Sequence, residues 1–160
     1  GAPPLAPDVL ALSVGRARRP ATRAPPCLAG RRFVFPGAHA AIHALMAHGV
    51  KLALVTNGAA ETQRAKVERF DLTHRFDHIQ IEGEHGFGKP EDEAYRHALK
   101  SLGVAAQDAW MVGDNLEWEV VAPQRLGIYA IWYDGYGAGL PPDSPIRPDR
   151  IIRARPELLE

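Results

Sequence analysis

A chain of 160 residues, 46% hydrophobic and 24% charged, is long enough to bury one core and has the make-up of an ordinary globular domain. Its 19 basic and 19 acidic residues cancel, which removes any general attraction to nucleic acid or to a membrane surface. One cysteine, Cys27, excludes an internal disulfide and fits a reducing, cytoplasmic compartment. No apolar run approaches the roughly 20 residues of a membrane span. The run VLALSV (9–14) is followed by arginines rather than preceded by them, the wrong flanks for a signal peptide. The chain opens on Gly1 and not Met, which leaves a preceding segment open.

The charge is unevenly spread. Residues 1–32 hold six arginines (Arg16, Arg18, Arg19, Arg23, Arg31, Arg32) and one acid, Asp8, a net +5; the rest carries 13 bases and 18 acids, a net −5. Residues 1–35 are rich in Pro and Ala without a sustained helical period and are expected to form an irregular arm, contributing at most one strand at 9–14. Such an arm could bind nucleic acid, but no aromatic residues interleave its arginines, and the plainer expectation is that it lies on its own acidic domain.

From Pro36 to residue 160 helices and strands alternate. PGAHAAIHALMAHG predicts a helix with Ile42, Leu45 and Met46 on one face and Gly49 as its stop. VKLALVTNG is a continuous apolar strand, AAETQRAKVERFD a helix, and FDHIQIEG a short strand. PEDEAYRHALKSLG carries Ala94, Tyr95, Ala98, Leu99 and Leu102 on one stripe, with Pro90 at its start. AWMVGD is a strand, EVVAPQRLG a short helix that tolerates Pro123 only near its first turn, and IYAIWYDG a strand. PDRIIRARPELLE predicts an edge strand and a helical end. Strands that are near-continuous apolar runs, separated by helices, imply a parallel sheet covered on both faces, an α/β fold. Ligands bind such sheets at the carboxyl ends of the strands, where Thr56 and Asp114 fall together.

Each candidate has a plain structural role beside the functional one. Thr56 could cap the following helix, or it could grip a phosphate together with the backbone amides of Asn57 and Gly58. Lys89, in the glycine-flanked loop GFGKPE, could be merely solvated or could be aimed at an anion. Asp114 could be a turn former, and Glu117 and Glu119 could be favourable charges in a first helical turn. Trp118 and Trp132 read as packing residues. The seven histidines show no metal-ligand spacing.

LALVTNG, GFGKPEDEAY and WMVGDNLEWEVVAPQRLGI resemble, in order, motifs two, three and four of the haloacid dehalogenase (HAD) superfamily of phosphatases, over about residues 36–160. The resemblance implies a Rossmann-like core and Mg2+-dependent hydrolysis of a small phosphorylated metabolite through an aspartyl phosphate. It makes Thr56 and Lys89 the catalytic and phosphate-binding residues beside Asn57 and Gly58. Asp114 would be a metal ligand, with Glu119 as a second and weaker one. Phosphoryl transfer needs mainly positioning and charge neutralisation, which these residue types supply.

The family's first motif, a strand running into Asp-x-Asp, is absent. The only acid before Thr56 is Asp8, a poor candidate nucleophile with Leu10 where the second aspartate should stand. Fifty-five residues before Thr56 leave little room for a cap domain, which is expected to be absent or vestigial. The missing strand would leave a central gap in the sheet with unpaired backbone on both sides. VLALSV is expected to fill it; exchange of strands between two chains of a homodimer is the alternative. Three functions stay open: a Mg2+-dependent phosphatase, a degenerate relative that binds phosphate without efficient turnover, and a binding module acting through the basic arm.

Overall fold

The structure, a computed structural model, describes the backbone of residues 9–12 and residues 38–154 and 157–158. Six strands run β1 (Val9–Leu12), β2 (Lys51–Thr56), β3 (His78–Ile81), β4 (Ala109–Gly113), β5 (Tyr129–Tyr133) and β6 (Arg150–Ile152). They form one sheet in the order β3-β2-β1-β4-β5-β6, and every pairing is parallel. The helices are α1 (Ala38–Ala47), α2 (Ala60–Arg69), α3 (Glu82–His85), α4 (Asp92–Leu102) and α5 (Ala122–Arg125).

The apolar runs are explained by burial on both faces. In β2, Leu52 and Leu54 join a core with Ile42 and Leu45 of α1 and Val67 of α2, while Ala53 faces Ala94, Tyr95 and Leu102 of α4. In β4, Trp110 and Val112 take the first face and Ala109 and Met111 the second. A strand with both sides covered shows no polar alternation. This is a Rossmann-like α/β fold, and no cap domain stands among the described residues.

The slot between β2 and β4 is occupied by β1 of the same chain. Leu12 pairs with both Leu54 and Val112. The chain winds outward through β2 and β3 on one side and returns through β4, β5 and β6 on the other, so the topological switch point lies at β1. No exchange of strands between chains is needed to complete the sheet. Ser13, Val14 and the arginines of the arm lie outside the described residues, as does most of the expected carboxyl-terminal helix.

Three local expectations are corrected. Met46 is 44% exposed: α1 buries Ala38, Ala41, Ile42 and Leu45 at i, i+3, i+4 and i+7 and ends one residue after Met46, leaving no further turn to cover it. The helix after Lys89 begins at Asp92 and not at Pro90. Gly88 and Glu91 close a turn there, with the Glu91 amide donating to the Gly88 carbonyl at 2.9 Å and the Gly88 amide to the Glu91 carboxylate at 3.1 Å. The segment read as one short helix starts as a π-turn, Glu117–Val121, before α5. Pro123 lacks an amide proton and crowds the carbonyl four residues back, and the wider turn accommodates it at the start of α5.

Candidate functional site

Thr56 ends β2 and is 3% exposed. It does not cap α2, which begins at Ala60 with Ala59 in the cap position. Its hydroxyl instead donates weakly to Gln63 Oε1, at 3.4 Å. Gln63 is itself buried, and Lys66 Nζ donates to the same oxygen at 3.3 Å. Gly58 follows at φ +129, a conformation that L side chains rarely adopt. Its amide is already engaged: it donates to Glu82 Oε2 at 2.9 Å. An incoming anion would therefore have to win the Gly58 amide from a carboxylate.

Asn57 acts through its side chain. Nδ2 donates to the Lys89 carbonyl at 2.6 Å and Oδ1 accepts from the Lys89 amide at 2.9 Å. This paired contact ties the turn after β2 to the loop carrying Lys89, across 32 residues of sequence. No signal in the sequence marks it, since an amide that bridges two loops looks like any loop asparagine.

Lys89 is 4% exposed, far from the solvated lysine that its type suggests. Its ammonium donates to Glu119 Oε1 at 2.8 Å, with both side chains 1% exposed. Glu119 Oε2 accepts from the Asn115 amide at 2.8 Å. The expected second metal ligand is thus buried against Lys89, with its other oxygen on the Asn115 amide. The Trp118 ring lies 5.8 Å from the ammonium. Tyr95 donates to the Trp118 carbonyl at 2.6 Å, and its burial pushes the phenol well above its ordinary pKa, so it stays a donor at any physiological pH.

Asp114 stands just past β4, exposed, with its carbonyl accepting from the Trp132 indole at 3.0 Å. Trp132 packs, as expected, and also fixes the backbone that presents Asp114. Thr56 and Asp114 each lie two residues beyond the level of Leu12, on the same rim and on opposite sides of β1. Asp8 lies outside the described residues. Its neighbour Val9 pairs with Lys51 and Ala109, five residues or roughly 16 Å below the level of Thr56 and Asp114.

No group of three His, Cys, Asp or Glu side chains able to hold a metal occurs among the described residues. Mg2+ asks for less, being held by one or two carboxylates with waters and substrate phosphate. Exposed Asp114 fits that requirement, whereas Glu119 is buried with its oxygens on Lys89 and on the Asn115 amide. No helix among the described residues is long and apolar enough to cross a membrane.

Residues 20–127 match the haloacid dehalogenase-like hydrolases. The phosphoserine phosphatase of Thermus thermophilus is 40% identical over 116 residues, 72% of this chain and 45% of that protein. The glyceraldehyde 3-phosphate phosphatase of Pyrococcus furiosus is 30% identical over 126 residues, 78% of this chain and 52% of that one. The crystal structure of a HAD phosphatase from Thermococcus onnurineus superimposes with a TM-score of 0.70 at 28% identity, covering 78% of this chain and 55% of the other. The chain belongs to the haloacid dehalogenase-like hydrolase family. It spans about half the length of the curated relatives it matches.

Proposed function

We propose that the rim around Thr56, Asn57, Lys89 and Asp114 takes the phosphate of a small phosphorylated metabolite, and that the chain acts on it as a Mg2+-dependent phosphatase. The observation that carries this reading is the buried Lys89–Glu119 pair at the switch point of the sheet, flanked by Thr56 and Asp114 on one rim. The names of its relatives, acting on phosphoserine and on glyceraldehyde 3-phosphate, support the substrate class. Charge supports the metal. Lys89 is neutralised by Glu119, so among these side chains Asp114 leaves a net negative charge that repels a phosphate dianion. A divalent cation on Asp114 reverses that sign. Bound there, Mg2+ would supply charge neutralisation and orientation of the phosphoryl group. The Thr56 hydroxyl would then donate to a phosphate oxygen, while Asn57 holds the Lys89 loop in place. The single cysteine supports a reducing, cytoplasmic setting.

One observation favours a second reading, binding without efficient turnover. The residues that follow Leu12 are Ser13 and Val14, so no carboxylate follows the central strand where an aspartyl phosphate would form.

Hydrolysis of p-nitrophenyl phosphate, with and without Mg2+, on the wild type and Asp114→Asn separates the two. The first reading predicts a Mg2+-dependent rate that falls about 100-fold or more in the variant. Phosphate binding without a rate above background decides for the second.

A further inference from the structure

Three histidines far apart in sequence meet beside this rim. His78 of β3, His85 of α3 and His97 of α4 have ring centroids 4.8 Å (His85–His97), 5.5 Å (His78–His97) and 6.5 Å (His78–His85) apart. Phe87, in the loop leading to Lys89, packs on His85 and His97 at 5.6 and 5.3 Å. Gln80, 1% exposed, organises the group. Its amide nitrogen donates to the Ala94 carbonyl at 2.7 Å, so Oε1 must face the rings. That oxygen lies 3.2 Å from His78 Nε2 and 2.9 Å from His97 Nδ1. His85 Nδ1 lies 3.1 Å from the Ile81 carbonyl. Each contact needs a proton on that ring nitrogen, so the network assigns all three tautomers and leaves the other nitrogen of each ring to take up a proton.

His78 does not charge freely. Burial holds the His78 pKa below its ordinary value, against the hydrogen bond that His78 donates to Gln80, and His97 and His85 push it down further. Of the charged groups nearby, Glu84 on α3 senses His85 but is held by Arg64 of α2 at 2.6 Å. Along α4, Glu93 precedes His97 by one turn and Lys100 follows it, both exposed, with Arg96 adjacent and exposed. Several imidazolium ions at these separations repel one another strongly.

The same segment supports the rim. At the start of α3, Glu82 accepts from the Gly58 amide and the Gly83 amide donates to the Gly58 carbonyl at 3.0 Å. At its end His85 sits in the cluster, and Phe87 leads through Gly88 to Lys89. We propose that His78, His85 and His97 form a proton-operated latch: neutral, they hold α3 and the Lys89 loop in place, and charged, they release them and weaken oxyanion binding at Thr56–Gly58. The binding half of this latch rests on the phosphate reading of that turn.

The sign is definite. A histidine with a lowered folded pKa is neutral in both states above about pH 6.5, and there its burial costs nothing. As pH falls through that value the unfolded chain takes the proton first, so stability is lost until the pH passes the lowered folded pKa.

NMR titration of the full chain tests the latch. The imidazole resonances and the Gly58 amide shift are followed from about pH 7.5 to about pH 5, and sulfate, whose charge is constant over that range, is titrated in at each end. The latch predicts a Gly58 shift that moves with the cluster's midpoint, and sulfate affinity about tenfold weaker at the acidic end, opposite to the gain that added positive charge alone would give. In His85→Gln and in His97→Gln the Gly58 midpoint moves or disappears. A Gly58 shift that is flat with pH, or a midpoint unchanged in both variants, overturns the latch. Sulfate binding at no pH, with the Gly58 titration retained, overturns the phosphate reading and leaves the latch standing.

Discussion

Glu119→Gln is expected to lower the free energy of unfolding by about 3–5 kcal/mol, the cost of breaking a buried ion pair from one side. Glu119 uses one oxygen on the Lys89 ammonium and the other on the Asn115 amide, with both side chains of the pair 1% exposed. Glutamine keeps the shape but offers one acceptor and one donor. Whichever way it turns, an N–H faces another N–H, and the Lys89 ammonium loses the Glu119 carboxylate. Urea denaturation of the wild type and variant reads the loss directly. Replacing both partners, as Lys89→Met with Glu119→Leu, is expected to recover much of it, since an apolar pair needs no counter-ion. A cost below about 1 kcal/mol for Glu119→Gln, the scale of an exposed pair, would mean that the two side chains do not meet in solution.

Gly113→Ala is the second large effect, and it acts on the same carboxylate through shape. A Cβ at Gly113 would overlap Glu119 Cγ and stand 2.6 Å from Cδ. A flexible side chain often swings away from such a clash. Glu119 cannot do so without giving up Lys89 or Asn115, so the added methyl must either distort the end of β4 or break the pair. Overpacking alone typically costs about 1–3 kcal/mol, and a lost partner for Lys89 adds to it. The melting temperature should fall by several degrees, and Asp114, the next residue, should lose its placement. An alanine that leaves the melting temperature unchanged would place Glu119 elsewhere.

Much of this was legible in the sequence because it depends on neighbours along the chain. The apolar runs of β2 and β4 and the stripe Ala94, Tyr95, Ala98, Leu102 on α4 mark buried surfaces by local period alone. Thr56, Lys89 and Asp114 could be brought together by the order of their motifs. What failed depended on local geometry. Met46 follows the helical period but lies too near the end of α1 to be covered, and the turn Gly88–Glu91 delays α4 by two residues. What was missed depended on long-range contact. Neither the Asn57 clamp, nor the Glu82 carboxylate on Gly58, nor the three histidines around Gln80 has a spacing to recognise, since their partners come from different elements.

The measurement closest to the central claim is a calorimetric titration of inorganic phosphate, with Mg2+ present, into the wild type and Thr56→Val. Among the described residues the Thr56 hydroxyl has only a long contact, to Gln63, so valine should change stability by no more than about 1 kcal/mol. If the hydroxyl holds phosphate, losing a hydrogen bond to a charged group should weaken binding about 10- to 100-fold. Equal affinity in the two proteins, or no binding by a folded wild type, would contradict the account.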